Sequence, residues 1–310
     1  MDKNLAIVIP AYKSAFFDAA LASIAGQTNR RFTVYVGDDC SPENLQPIIS
    51  SYESKINIVY KKFSENLGGN DLVAHWERCI EMTLNEEWIW LFSDDDIMEP
   101  GCVEAFYKTQ EKNTDCDVFH FNIRIIGEAG ETIKELPSYQ KKITIDEFNT
   151  LKWSSKINSY VVEYIFRTAK YRETGRFLNF PHAWHSDEAT WTKIGWEKGI
   201  VTISDAMVNW RRSSVNITPD TKSINIVKGK LNASIKFAEW VVNFYRQKGS
   251  DVNFKKRFLL AKRFVNYLIK CKPVLTPKES TDFITEQLRA LELPYMYMFF
   301  LLQLKLKGAQ

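Results

Sequence analysis

Three consecutive carboxylates, Asp94, Asp95 and Asp96, stand after the apolar run Trp88-Ile-Trp-Leu-Phe92 and a single serine, Ser93. Neighbouring like charges repel and each carboxylate resists leaving water, so a positive partner is expected where the run ends. A solvated acidic loop or the cap of a helix near Pro100 would also use acidic residues, but a cap needs fewer than three. Two further acidic pairs have comparable settings. Asp38-Asp39 closes the run Phe32-Thr-Val-Tyr-Val-Gly37, and Asp187-Glu188 lies shortly before Trp191. Arg211 and Arg212 follow Asn209-Trp210, and such guanidinium forks pair readily with phosphate oxygens. The four histidines, His75, His120, His182 and His185, have no metal-ligand spacing.

The elements that must position these residues alternate between two periods. Leu5–Pro10, Phe32–Gly37, Ile56–Tyr60 and Trp88–Phe92 read as strands, the first a nearly continuous apolar run of the kind buried on both faces. Between and after them run helical stripes: Phe17, Leu21 and Ile24; Leu45, Ile48, Ile49 and Tyr52; Leu72, Trp76 and Ile80; Val103, Phe106 and Tyr107. Strand–helix alternation predicts a mostly parallel sheet covered on both faces, with ligands at the carboxyl ends of its strands. Four polar stretches fall at that edge: Pro10-Ala-Tyr-Lys13, Gly37-Asp-Asp-Cys-Ser41, Ser64-Glu-Asn-Leu-Gly-Gly69 and Ser93-Asp-Asp-Asp96. Their convergence marks the site more strongly than any one of them.

From Val118 the pattern changes to alternating residues and a Gly127–Gly130 turn, which suggests antiparallel strands. Beyond Thr221 the chain is helical and basic and ends in the apolar stretch Tyr295–Leu302. Two domains are therefore expected: an α/β domain over 1–220 that carries the polar strand edge, and a helical region over 221–310. The latter is either a packing cap or a contact for an anionic membrane surface.

Bulk properties set limits. The 310 residues are 45% hydrophobic, with 41 basic and 38 acidic side chains, a balance too near neutral to point to nucleic acid. The nine Trp and twenty Phe are expected mostly to fill cores. Five cysteines without a CxxC pair argue against a zinc ribbon or disulfide framework and fit a reducing compartment. The N-terminus reads as a first strand and not a signal peptide, and no stretch reaches the roughly eighteen apolar residues of a membrane span. A cytoplasmic protein, peripheral on the inner membrane face if the helices touch lipid, is the expectation.

As an ordered set, VIPAYK, VYVGDDCSP, SENLGG and FSDDDIMEP resemble a family 2 glycosyltransferase, over roughly residues 1–215. The resemblance implies an α/β GT-A fold: a Rossmann-like, mostly parallel sheet flanked by helices, here with a helical C-terminal extension. It also implies an inverting transfer of sugar from a nucleotide diphosphate donor, a UDP-sugar, to the hydroxyl of a saccharide or lipid-linked saccharide in bacterial surface-polysaccharide or glycolipid assembly. On this reading the positive partner of the acidic run is Mn²⁺ or Mg²⁺, held by one or two carboxylates and completed by phosphate oxygens. The family's first aspartate of the metal motif is Ser93 here, which makes Asp95 the leading ligand with Asp96, while Asp94 faces the donor; read literally, Asp94-x-Asp96 is also a DxD, and the resemblance leaves open which of the three touches the metal.

The same resemblance assigns the remaining positions. Pro10, Ala11 and Tyr12 line base and ribose, and Asp39, ahead of Asp38, accepts from the base N3–H. Asn66, Gly68 and Gly69 bring backbone close to the ligand, although a simple helix-start loop reads nearly as well. Arg211 and Arg212 close over the diphosphate. Inversion needs a base on the acceptor side; Asp187, four before Trp191, is its first candidate and Glu188 its second. Two rival readings remain: a nucleotide-sugar-forming nucleotidyltransferase, whose Gly-rich basic loop PAYKSAFF lacks, and a non-catalytic nucleotide- or carbohydrate-binding module on the same fold.

Overall fold

The computed structural model describes residues 4–213 and 220–307. Its strands are β1 (Leu5–Ala11), β2 (Phe32–Asp38), β3 (Ile58–Lys62), β4 (Trp88–Leu91), β5 (Ile97–Met98), β6 (Val118–Ile126), β7 (Thr132–Glu135), β8 (Lys142–Ile143), β9 (Tyr164–Arg167) and β10 (Ile200–Arg211). The helices are α1 (Phe17–Ala25), α2 (Gln46–Ser50), α3 (Leu72–Ile80), α4 (Cys102–Glu111), α5 (Ile145–Trp153), α6 (Thr168–Glu173), α7 (Ser186–Ile194), α8 (Ile224–Gln247), α9 (Phe254–Cys271), α10 (Pro277–Ala290) and α11 (Tyr297–Lys307).

One sheet runs in the order β3-β2-β1-β4-β9-β6-β10-β5, with β7 beside β6 and β8 beside β10. The first four strands are parallel, as their alternation with helices requires. In register, Ala11 lies opposite Asp38 and Asp38 opposite Lys62, so the three strand tips form one edge. β9 then inserts antiparallel between β4 and β6, whereas β10 pairs parallel with β6. The antiparallel reading of the later chain therefore holds for β9 and β7 but not for the β6–β10 pair.

The chain divides into two compact units, one drawn from Met1–Glu147, Asn158–Leu178 and Thr190–Ser214, the other from Phe148–Ile157, Asn179–Ala189 and Val215–Gln310. The second unit takes its helices from beyond 220 and also two short segments from earlier in the chain, one of which carries Asp187 and Glu188.

In the sheet unit the apolar strand residues are sealed from water: Leu5, Ile7, Ile9, Val34, Val36 and Trp90 are each 0% exposed. Trp90 stacks on Phe121 at 4.9 Å, and its indole N–H donates to the Val162 carbonyl at 2.7 Å, so the aromatic ring is packed and its polar atom paired. On α3 the buried face is Val73, His75, Cys79 and Ile80, shifted around the helix from the Leu72–Trp76 stripe.

In the helical unit α8, α9, α10 and α11 pack through Val227, Leu231, Val241, Leu260, Phe264, Leu268, Ile284 and Phe300. Thr276 and Glu279 form a reciprocal cap at the start of α10. Two of the cations that make this region basic turn inward. Lys230 is 0% exposed and donates to the Asp220 carbonyl, and Arg257 bonds the Val252 and Leu291 carbonyls and the Asp251 carboxylate. No described helix is long and apolar enough to cross a membrane.

Candidate active site

Because β1, β2 and β4 are parallel, their carboxyl ends deliver Tyr12, Asp38–Asp39 and Asp94–Asp96 to one edge of the sheet unit. Asp94 Oδ2 accepts the backbone amides of Tyr12 (2.9 Å) and Lys13 (3.0 Å), tying the tip of β1 to the loop after β4. Asp96 Oδ1 accepts the Arg211 amide at 2.6 Å, which ties the same loop to the end of β10. Asp95 accepts from the Ser93 hydroxyl. All three carboxylates are buried. Burial, and next the charge of Asp95, push Asp94 up to about 6 against the pull of the Tyr12 and Lys13 amides. The same two causes raise Asp96 well above the ordinary carboxylate range. Three carboxylates are thus buried side by side at this edge, an arrangement that disfavours ionising all of them together.

Such a cluster fits a divalent ion of the open kind. Among the described residues no three His, Cys, Asp or Glu side chains form a complete cage. Mg²⁺ and Mn²⁺ sites on phosphate-bearing substrates need only one or two carboxylates. Asp94 and Asp96 each commit an oxygen to backbone amides, and the Asp95 carboxylate accepts from the Ser93 hydroxyl.

The Asp38–Asp39 pair is divided by environment. Asp38, 0% exposed, accepts the Ser41 amide and the Tyr60 hydroxyl, each at 2.7 Å, and so shapes the turn after β2. Asp39 accepts the Leu67 and Gly68 amides at 2.8 Å and an ion pair from Arg78. Its Oδ2 carries one of those bonds only, so a lone-pair direction remains. A Cβ at Gly68 would come within 2.6 Å of Asp39 Oδ2, so the residue must be glycine for its backbone to reach the carboxylate. Asn66 Oδ1 accepts the Gly69 amide at 2.7 Å. The SENLGG loop is thus drawn onto Asp39 itself. His75, 3.4 Å from Asp39, is held down to about 4, mainly by burial.

The arginines separate likewise. Arg211, 3% exposed, lies over the Phe16 ring and donates to the carbonyls of Asp95, Gly127 and Glu128. It braces the acidic loop from behind. Arg212 is exposed. Pro10 and Ala11 form the tip of β1, and Tyr12 beyond them is 38% exposed with its carbonyl accepting the Ser41 hydroxyl.

Asp187 and Glu188 begin α7, in the helical unit. Glu188, 1% exposed, accepts the Trp153 indole N–H at 2.8 Å, faces His185 Nδ1 at 3.1 Å and pairs with Arg263 at 3.2 Å. Burial opposes its charge, but Arg263, His185 and Lys152 together hold it well below the usual carboxylate range. Asp187 is only partly buried by surface measure, although protein crowds it closely enough that desolvation raises it. The loop before it carries His182, Ala183 and His185 at φ of 56°, 54° and 70°. Non-glycine residues in that region each cost of order 1–3 kcal/mol, and such strain collects at functional sites. Gly229 on α8 accommodates it, since a Cβ there would lie 2.3 Å from the His182 ring.

Sequence reasoning missed Arg78 behind Asp39, and Trp153 and Arg263 around Glu188. Arg263 lies 75 positions from its partner, and no local pattern reports a contact of that range.

Comparison with known proteins agrees with the fold. Solved structures of S. aureus TarS 1–349 align over 98% of this chain. The complex with UDP-GlcNAc has a TM-score of 0.59 at 12% identity over 92% of that chain. The complex with UDP has 0.56 at 14% over 89%. At these identities the likeness is one of GT-A fold. Among curated proteins, a chondroitin synthase of Pasteurella multocida is 45% identical over 106 residues, and an uncharacterized glycosyltransferase of Haemophilus influenzae is 25% identical over 118. The chain spans 11% and 38% of these two relatives. The model of glycosyl transferase family 2 matches residues 6–170, more than half of the chain and the whole of the acidic strand edge, and the chain belongs to that family.

Proposed function

We propose that this transferase moves a sugar from a UDP-sugar to an acceptor hydroxyl with inversion, in the assembly of a bacterial surface polysaccharide or glycolipid. The observation that carries the reading is the clustering of three buried carboxylates, Asp94, Asp95 and Asp96, at the carboxyl edge of the parallel strands, beside Asp39 and Tyr12. The UDP-GlcNAc complex of TarS supports the choice of donor.

Asp95 and Asp96 would hold Mn²⁺ or Mg²⁺, which supplies positive charge to the departing diphosphate. Asp94 fixes the Tyr12–Lys13 backbone beside it. The remaining lone pair of Asp39 accepts the uracil N3–H, and exposed Tyr12 and Arg212 face base and phosphates. Asp187 takes the proton of the acceptor hydroxyl as the acceptor oxygen bonds the anomeric carbon and the bond to the diphosphate breaks. Glu188 is unsuited to that role, because a carboxylate held so far down binds a proton weakly. The apolar side chains exposed along α11, Met298, Phe299, Leu302 and Leu306, suit peripheral contact with a membrane bearing a lipid-linked acceptor.

A panel of nucleotide sugars, scored by release of nucleoside diphosphate with Mn²⁺, tests the activity. Release from a UDP-sugar, lost on chelation, is expected. UDP binding without turnover of any donor across many acceptors would return the protein to a binding module.

A further inference from the structure

Within the helical unit a cavity of about 180 Å³ opens between α8, α9 and α10, apart from the residues assigned above to donor and base. Its wall combines two chemistries. Trp184 and Tyr267 present rings tilted 32° to one another with centroids 5.8 Å apart, and Phe264 extends the apolar surface. Arg263, Lys270 and Gln287 supply polar groups, and no lining side chain is a carboxylate. Concave sites with apolar walls and a few convergent polar groups are the usual form of a small-molecule site.

Two residues of this wall carry a buried polar atom without a strong partner. Gln287 is 2% exposed, yet its side-chain carbonyl is buried without a hydrogen bond. The Tyr267 hydroxyl has no nitrogen or oxygen partner and only the Cys271 thiol, a weak one, beside it. Buried polar atoms left in this state oppose folding; both are sealed from solvent, so a ligand's hydroxyls would satisfy them as the two side chains turn into the cavity. Of Arg263, Glu188 engages Nη1 alone, so its other N–H groups remain for a ligand. The charge in the wall is positive and excludes a cationic ligand. A purely apolar one would leave Gln287 unpaired.

We propose that this cavity binds one negatively charged sugar unit of the acceptor glycan. The C–H face of the ring packs on Trp184 and Tyr267, its hydroxyls bond Gln287 and Tyr267, and its carboxylate or phosphate meets Lys270 and Arg263. The assignment to the acceptor rests on Asp187 acting as the base, because the cavity shares His185 and Arg263 with the network that anchors the adjacent Glu188.

Saturation-transfer NMR titrations of the full chain with methyl β-glucuronide, glucose 6-phosphate and methyl β-glucoside, without donor or metal, test it. One anionic sugar is expected to bind about tenfold more tightly than the glucoside, the scale of one charge-assisted contact. A preference for the glucuronide identifies a uronic-acid glycan, and a preference for the phosphate identifies a phosphate-bearing one. Gln287→Leu should keep or raise the melting temperature, since it removes an unpaired carbonyl, while weakening that sugar about three- to tenfold. Lys270→Ala, at an exposed position, should weaken it by a similar factor. Equal binding of all three sugars, no binding, or variants that bind as the wild type would overturn the proposal. UDP titrated into the same samples reports the nucleotide site separately, so its failure would count against the donor reading and leave the cavity standing.

Discussion

Asp187 and Glu188 are adjacent carboxylates in opposite environments, and neutralising each should have opposite consequences. Glu188→Gln keeps the shape but removes the charge that faces Arg263 at 3.2 Å and receives the Trp153 N–H at 2.8 Å. Removing one partner of a buried ion pair costs about 3–5 kcal/mol. Arg263 retains 24% of its side-chain exposure and can recover some hydration, which places the loss near about 3 kcal/mol. For a domain of this size that is a fall in melting temperature of roughly 6–12 °C. The stabilisation by Glu188 is present above about pH 4.3, the unfolded glutamate value, and is lost as pH falls toward its depressed folded value, so the two proteins should converge in acid. Asp187 is raised by burial, so its ionised form costs the fold stability at neutral pH. Asp187→Asn should therefore melt at or above the wild-type temperature, bind UDP normally, and lose turnover by roughly 10²–10⁴. Differential scanning fluorimetry from pH 3 to 8, paired with nucleoside-diphosphate release, measures both. Wild-type melting of Glu188→Gln, or wild-type turnover of Asp187→Asn, would refute the division of roles.

Asp95→Asn should abolish the Mn²⁺-dependent part of UDP binding by calorimetry while leaving the melting temperature close to wild type; an unchanged metal effect removes Asp95 as the ligand. Asp39→Ala should weaken UDP by roughly 1–3 kcal/mol and also lower the melting temperature, because the Leu67 and Gly68 amides and Arg78 lose their acceptor. His120, 1% exposed, is held down to about 4 by burial, so it folds neutral and must stay so. Its contribution is complete above about pH 6.5 and is lost as pH falls toward 4. His120→Gln should therefore flatten the acid side of the stability curve in that window, and an unaltered slope there would show that another group titrates.

The strands that build the acidic edge are legible in the sequence for a physical reason. A parallel strand covered on both faces must be continuously apolar, and Leu5–Pro10 and Trp88–Phe92 announce themselves by composition alone. Parallel strands joined by helices put all their carboxyl ends on one side, so the polar residues just after them converge whatever else the chain does. That is why the sequence alone groups Asp38–Asp39 with Asp94–Asp96. The order VIPAYK, VYVGDD, SENLGG, FSDDDI carried the family in the same way.

Other features have no local signature. β9, four residues long, enters the sheet between β4 and β6 through pairings with Trp88–Trp90 and Val118–His120, and only the competition of edges for a partner decides its place. The reading of Arg211 as a phosphate clamp and its structural role as a brace use the same guanidinium; which carbonyls it meets depends on a loop 83 and 84 positions away. So does the contrast within each acidic pair. Sequence alone determined that carboxylates would gather at one strand edge, because periodicity and chain connectivity are local properties. Which of them would be satisfied by backbone amides, paired to a distant arginine, or buried side by side was decided only by tertiary structure, since burial and ion pairing depend on residues that the chain brings together from far apart.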